Sequence, residues 1–180
     1  MKSIRLAAAL AAASLCVSGI VLAQMALAQG AKLNDAQIAH IAYTAGQLDI
    51  SAAELAKQKG SSKDVRAFAD DMERDHKAVN DKALALLNKL KVKPEDNETS
   101  RTLTKQASDS RAELSKLNGA AFDKAYMQHE VDYHKAVNDT LQNTLIPGAS
   151  NQELKDLLST GLKIFQGHQQ HAEQVVAELK

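Results

Sequence analysis

The chain has 180 residues with 22 basic and 22 acidic side chains, so its formal net charge is zero. That balance excludes the strongly basic surface that proteins use to bind nucleic acid or an anionic membrane. The length suits one domain with a sizeable core, and an Ala-, Leu- and Lys-rich composition with only two prolines and 3% aromatic residues indicates an all-α protein.

Residues 1–28 have the pattern of an export signal. Lys2 and Arg5 precede an apolar stretch over 6–23, and Ala26-Leu27-Ala28 then gives the small-x-small pattern that a signal peptidase cleaves. The sequence therefore predicts a cleavable signal peptide at 1–28 and a single periplasmic domain at 29–180.

Two alternatives to this cleavage stay open. One is an earlier cut after Ala23, and the other is an uncleaved signal that anchors the chain in the inner membrane. The single cysteine, Cys16, would leave with a cleaved signal, so the mature domain would lack thiol chemistry and would not be stably inserted in a membrane.

The first predicted helix begins at Asn34, with Gln37 placed to complete a capping box. Its inward row is apolar except for Asp49. Gly60-Ser61-Ser62 should end this helix and cap the second, which is predicted from about Lys63 to Lys91 and carries His76 on its inward stripe.

A third helix is predicted from about Glu95, just after Pro94, to Leu117. It has few apolar residues, so it should lie on the surface as a crossover between the second and third core helices.

The next helix, from about Ala121 to Leu145, repeats the second one. The hexapeptide His76–Asp81 recurs as His134–Asp139, and the inward stripe of the later copy carries both Glu130 and His134.

The last helix should start at a cap formed by Ser150 and Glu153 and run through a regular heptad to Leu179. The polar residue on its inward stripe is His168.

Asp49, His76, His134 and His168 each lie near the middle of their helix. The midpoints of antiparallel helices share one level, so these side chains should form one layer, which Glu130 can also reach. Imidazoles and carboxylates are the usual ligands of zinc, iron, copper and manganese, and the layer therefore predicts a transition-metal site.

A metal-free reading of the same layer is a hydrogen-bonded network that fixes helix register. The chain would then be an envelope protein that binds a protein partner through its helical surface, and a homo-oligomer is also open.

His129 and His171 flank the stripe and should be solvated or, less simply, outer ligands. Glu73 falls off the stripe, and Asp75 is expected to be at most a hydrogen-bond partner outside the ligand set.

Several motifs together resemble one bacterial family. They are Val65-x-x-Phe68-Ala69-x-x-Met72, Asp75-His76 with Asn80, Phe122-Asp123-x-x-Tyr126 with His134, and His168 with Ala172. From about Asp35 to Leu179 the chain resembles the envelope family known as domain of unknown function 4142. The resemblance implies a periplasmic, ferritin-like four-helix bundle with a crossover helix, and the family commonly has Glu where this chain has Asp49.

No activity is implied by that resemblance. Ferritin-type diiron centres use four carboxylates and two histidines, whereas two inward carboxylates and three histidines are predicted here. Metal binding or metal handling under envelope stress, rather than catalysis, is therefore the expected role, and no catalytic residue is assigned.

Overall fold

The computed structural model describes residues 32–179, so the predicted signal at 1–28 lies outside the described residues. Within 32–179 the chain is all-α and has no strand. Its five main helices are α1 (Asp35–Lys59), α2 (Lys63–Leu90), α3 (Glu98–Ser115), α4 (Gly119–Thr140) and α5 (Gln152–Glu178). None of these described helices combines the length and apolar character that a bilayer span requires.

The chain continues beyond α4 without a sharp break. A π-helical segment, Leu141–Leu145, and a short turn, Ile146–Gly148, extend the same rod toward the start of α5. The predicted end of this helix near Leu145 is therefore close to the observed one.

The first two helix starts agree with the sequence prediction. Asn34 caps α1, and its side chain and that of Gln37 form both hydrogen bonds of a capping box. Ser62 caps α2 by accepting from the backbone N–H of Asp64. Short polar side chains at these ends thus satisfy amide groups that a helix leaves unpaired.

Two later helix starts were predicted wrongly. α3 begins at Glu98 rather than next to Pro94, because Asn97 and Ser100 form a capping box there. α5 is capped by Asn151 instead of Ser150, since the Asn151 side chain accepts from the backbone N–H of Leu154. In both cases the observed cap is an asparagine, one of the residues that cap helices best.

The helices pack as two adjacent pairs. α1 lies against α2, α4 lies against α5, and α2 contacts α5, so that the pairs join. α3 packs on α1 and α4 and buries only two large apolar side chains, Leu103 and Leu114. This agrees with its polar sequence.

The core consists of two apolar clusters with a polar level between them. On α1, Ala45 belongs to one cluster and Ala52 to the other, and Asp49 lies between the two. On α5, Phe165 and Ala172 flank the level of His168 in the same way. The predicted polar layer therefore lies at mid-height, enclosed above and below by hydrocarbon.

α1 and α2 approach closely one turn before Asp49, at Gly46. A Cβ atom at position 46 would lie 2.5 Å from Oδ1 and 3.0 Å from Cγ of the buried Asn80. We expect Gly46→Ala to destabilise the protein by roughly 1–3 kcal/mol, because overpacking exceeds the gain in helix propensity of about 1 kcal/mol.

Gly167 provides the matched control, since a Cβ there would have no atom within 4 Å. Gly167→Ala should stabilise the protein by about 0.5–1 kcal/mol, as expected for an exposed helix interior. Urea unfolding measures the change in the free energy of unfolding for each variant. If Gly46→Ala stabilised the protein as much as Gly167→Ala, the close approach of α1 to Asn80 would be contradicted.

Candidate metal centre

The structure brings all five predicted site residues together. Asp49, His76, Glu130, His134 and His168 are each at most 7% exposed. One nitrogen from each of the three histidines lies within 4.8 Å of the others, and a second group within the same distance joins Asp49, Glu130 and His134. Four helices therefore contribute to one enclosed cluster.

Asp49 lies at the centre of this cluster. Its Oδ2 atom is 3.2 Å from Nε2 of His76 and 3.4 Å from Nε2 of His134. Burial acts to raise the pKa of Asp49, but attraction to the protonated forms of His76 and His134, which exist at acidic pH, outweighs it and holds this pKa at about 2. Asp49 is thus a carboxylate at neutral pH.

The hydrogen bonding of His134 fixes which nitrogen is free. Nδ1 lies 3.0 Å from the backbone carbonyl oxygen of Glu130, and a carbonyl can only accept, so Nδ1 carries the proton and donates. Nε2 then directs its lone pair toward Asp49. Burial lowers the pKa of His134 to about 4, which leaves the imidazole neutral at physiological pH.

His168 is oriented by a carboxylate on another helix. Its Nε2 lies 3.0 Å from Oδ2 of Asp75, which Arg74 also holds through two hydrogen bonds. Because the carboxylate accepts, Nε2 donates and the buried Nδ1 keeps a lone pair without a hydrogen bond. A ligand histidine usually has such an outer carboxylate partner, and Asp75 fills the outer role expected from the sequence.

The ring of His76 is held by stacking. Phe165 on α5 lies parallel to it, with ring centroids 4.4 Å apart and an interplanar angle of 8°. Neither ring nitrogen of His76 makes a hydrogen bond with a described residue. The ring is thus positioned by packing, which leaves its nitrogens available.

Glu130 lies on the other side of His134. Its Oε2 atom approaches Nδ1 of His134 at 3.5 Å, and neither carboxyl oxygen has a hydrogen bond within residues 32–179. Burial, together with the negative charge of Asp49, raises the pKa of Glu130 well above its usual value.

These side chains could hold a metal ion. Eight buried nitrogen and oxygen atoms of the five residues have no hydrogen bond to any residue in the described part of the chain. Each unpaired buried polar group costs on the order of 1–3 kcal/mol, and one shared metal ion could satisfy several of them together. Imidazole and carboxylate donors of this kind suit zinc, iron, copper or manganese.

Other polar residues named from the sequence lie outside the cluster. Glu73 pairs with the exposed Lys57, as its position off the stripe indicated. The expectation that His129 and His171 are solvated holds only in part, since both are half-buried: His129 stacks on Tyr133, and His171 contacts Phe68 edge to face. Neither belongs to a ligand group found among residues 32–179.

Asn80 and Asn138, which were not among the predicted site residues, are also buried near this level. Asn138 donates to Oε1 of Gln169, whereas Nδ2 of Asn80 makes no hydrogen bond with the described residues. The signal was present, because both asparagines occupy the same place in the repeated hexapeptide.

Comparisons with known proteins match the chain at the level of family and fold. The family profile described as "Domain of unknown function (DUF4142)" matches residues 21–175. The crystal structure of a DUF305 fragment from Deinococcus radiodurans is similar, with a TM-score of 0.70 and 16% identity over 80% of this chain and 95% of that one. At that identity the likeness shows the fold alone. No curated protein matches the chain.

Proposed function

Because the chain belongs to the domain of unknown function 4142 family, for which no activity is defined, we propose a function from its own buried cluster. The protein binds one transition-metal ion through His76, His134, His168 and Asp49, with Glu130 as a fifth ligand. The ion is zinc, iron, copper or manganese.

One observation carries this proposal. The lone pairs assigned to Nε2 of His134 and Nδ1 of His168 both face the cluster, because each ring donates its other N–H away from it. A hydrogen-bonded network alone would instead use those nitrogens within the cluster. The arrangement agrees with the way proteins orient imidazole ligands, through the nitrogen that does not bind metal.

The proposal extends to architecture and location. The chain is a ferritin-like four-helix bundle of α1, α2, α4 and α5, with α3 as the crossover, and it is exported to the periplasm by the signal at 1–28. The packing of α3 on α1 and α4, with only two buried leucines, supports this arrangement. Its role is metal handling under envelope stress, not catalysis.

Metal uptake by the purified, chelator-stripped protein tests the proposal. We expect about one equivalent of zinc, iron, copper or manganese, and stabilisation by about 2.7 kcal/mol at a free metal concentration of 100 times Kd. For a domain of this size that corresponds to a rise in Tm of roughly 5–10 °C.

Two glutamine variants on α5 sharpen the test. In His168→Gln the amide can still donate to Asp75 but the Nδ1 ligand is lost, so metal stabilisation should disappear; His171→Gln, one turn away and outside the cluster, should keep it. If the wild-type protein takes up less than about a tenth of an equivalent of metal, and its Tm does not change when metal is added, the metal-free network is favoured instead.

A further inference from the structure

A second feature of the fold adjoins the cluster. A cavity of about 520 Å³ lies beneath α3, between that helix and both α1 and α4. Asp49 and Glu130, which are buried, line it at one end, whereas Ser108 and Arg111 on α3 are exposed and mark its solvent side. The cavity thus extends from the surface to a wall formed by Asp49 and Glu130, whose carboxyl oxygens themselves stay buried.

The sequence of α3 explains why the cavity exists. Large apolar side chains are buried only near the ends of the helix, at Leu103 and Leu114, and between them the cavity is lined by Ala107 and Ser108. Small side chains leave space, so α3 spans the gap without filling it. The cavity is partly open to solvent, so water can enter it from the side of the exposed α3 residues.

A smaller cavity borders the histidines from another side. It has a volume of about 50 Å³ and is lined mainly by aliphatic residues, together with His76 and His134. A cation moving through it would have to shed its water in a small space whose exposed lining is mostly apolar, which is costly. The larger cavity beneath α3 avoids that cost, because it is large enough to hold water and includes the polar residues Asp49, Glu130 and Ser108 in its lining.

We propose that the cavity beneath α3 admits a hydrated divalent transition-metal cation, and that Asp49 and Glu130 form a receiving position at its inner end. This inference rests on the proposed function. The receiving position takes the cation from water, and Asp49 then shares it with the histidines.

The distances support such a transfer. Asp49 belongs to both the receiving position and the holding site, since its Oδ2 atom is 3.2 Å from His76 and 3.4 Å from His134. Glu130 is fully buried and lines the cavity, and neither of its oxygens has a hydrogen bond within 32–179. A cation in this cavity reaches Asp49 and Glu130 without passing His76, His134 or His168, because none of these three lines the cavity, although the imidazole of His129 does. The exposed Arg111 charge is screened by solvent and does not close the route.

Filling the cavity should slow loading without weakening binding. In Ala107→Trp the indole would occupy the space beneath α3, so stopped-flow mixing with Co²⁺ or Zn²⁺ should show association at least tenfold slower. Since binding and release follow one path, removal by a chelator should slow by the same factor, and Kd should stay within about twofold of the wild-type value.

Thr102→Trp is the matched control, because Thr102 is exposed on α3 and does not line the cavity. It should load at the wild-type rate. Ser108→Trp is a second blocking variant at an exposed position, which avoids dependence on how well Ala107→Trp folds. Unchanged loading in both blocking variants would overturn the inference while leaving the proposed function intact.

Glu130→Gln tests the receiving position separately. We expect both association and release to slow several-fold, because the variant keeps the shape of the side chain but replaces the carboxyl group with an amide, which is a weaker ligand for a transition-metal cation. Faster release with normal association would instead make Glu130 an ordinary ligand and overturn its receiving role. A wild-type protein that takes up no metal would remove the proposed function and this inference together.

Discussion

Replacement of His134 by asparagine is expected to weaken metal binding by roughly 100-fold or more, while the chain remains folded. The asparagine amide can still donate to the backbone carbonyl of Glu130, as Nδ1 of His134 does at 3.0 Å. It offers nothing in place of Nε2. Structural zinc sites contribute about 10–16 kcal/mol through four ligands, so the loss of one ligand should cost about 3 kcal/mol.

Unfolding measurements with and without metal separate the loss of metal binding in His134→Asn from any loss of packing. Without metal, the free energy of unfolding of His134→Asn should lie within about 1 kcal/mol of the wild-type value. The variant conserves the hydrogen bond and removes only part of the ring. With metal, the difference should grow to about 3 kcal/mol or more. A loss of the same size in both conditions would mean that His134 belongs to a structural network.

His129→Asn is the matched control on the same helix. His129 is half-buried but belongs to no ligand group among the described residues, so its variant should bind metal with wild-type affinity. Isothermal titration calorimetry with zinc on all three proteins gives the comparison. Equal affinity for His134→Asn and the wild type would exclude Nε2 as a ligand.

Helix phase is the part of this site that the sequence predicted well. Asp49, His76, His134 and His168 each interrupt an apolar stripe, and a stripe must face the core because its burial provides most of a helix's stability. Similar helix lengths and short connections then place the midpoints at one level. The core confirms this geometry, since an apolar cluster lies on each side of the layer.

Contacts that depend on neighbouring helices were less predictable. The hydrogen bond between His168 and Asp75 joins residues 93 positions apart, and no periodicity in either helix indicates it. The burial of His129 and His171 likewise results from aromatic neighbours, Tyr133 and Phe68, rather than from their own stripe. Helix phase gives the direction of a side chain, whereas its partner depends on how the helices are rotated and spaced.

The cavity beneath α3 shows a different limit. From the sequence, the few apolar residues of α3 indicated a surface helix, which its packing on α1 and α4 fits. The same observation also meant that α3 leaves space over Asp49 and Glu130. A lack of large side chains predicts a void only when the distance between the helices is known, and that distance is set by Leu103 and Leu114.

The substitution Asp123→Ala should cause the largest loss of stability, about 3–5 kcal/mol. Asp123 is 2% exposed near the start of α4, and its carboxyl group accepts hydrogen bonds from the backbone N–H groups of Ser61 and Ser62 and from the Ser61 hydroxyl. It thereby fixes the turn between α1 and α2, and so the relative register of the helices that carry Asp49 and His76. Alanine would leave three donors without their acceptor.

Denaturant unfolding and metal titration together check this expectation. Asp132→Ala is the control, because Asp132 lies on the same helix and accepts only one exposed side-chain bond, from Gln128. It should change stability by no more than about 0.5 kcal/mol. Asp123 lies outside the ligand groups, so the folded Asp123→Ala protein should bind metal stoichiometrically but unfold at lower denaturant. A loss below about 1 kcal/mol would mean that solvent replaces the carboxylate and that the α1–α2 turn does not depend on it.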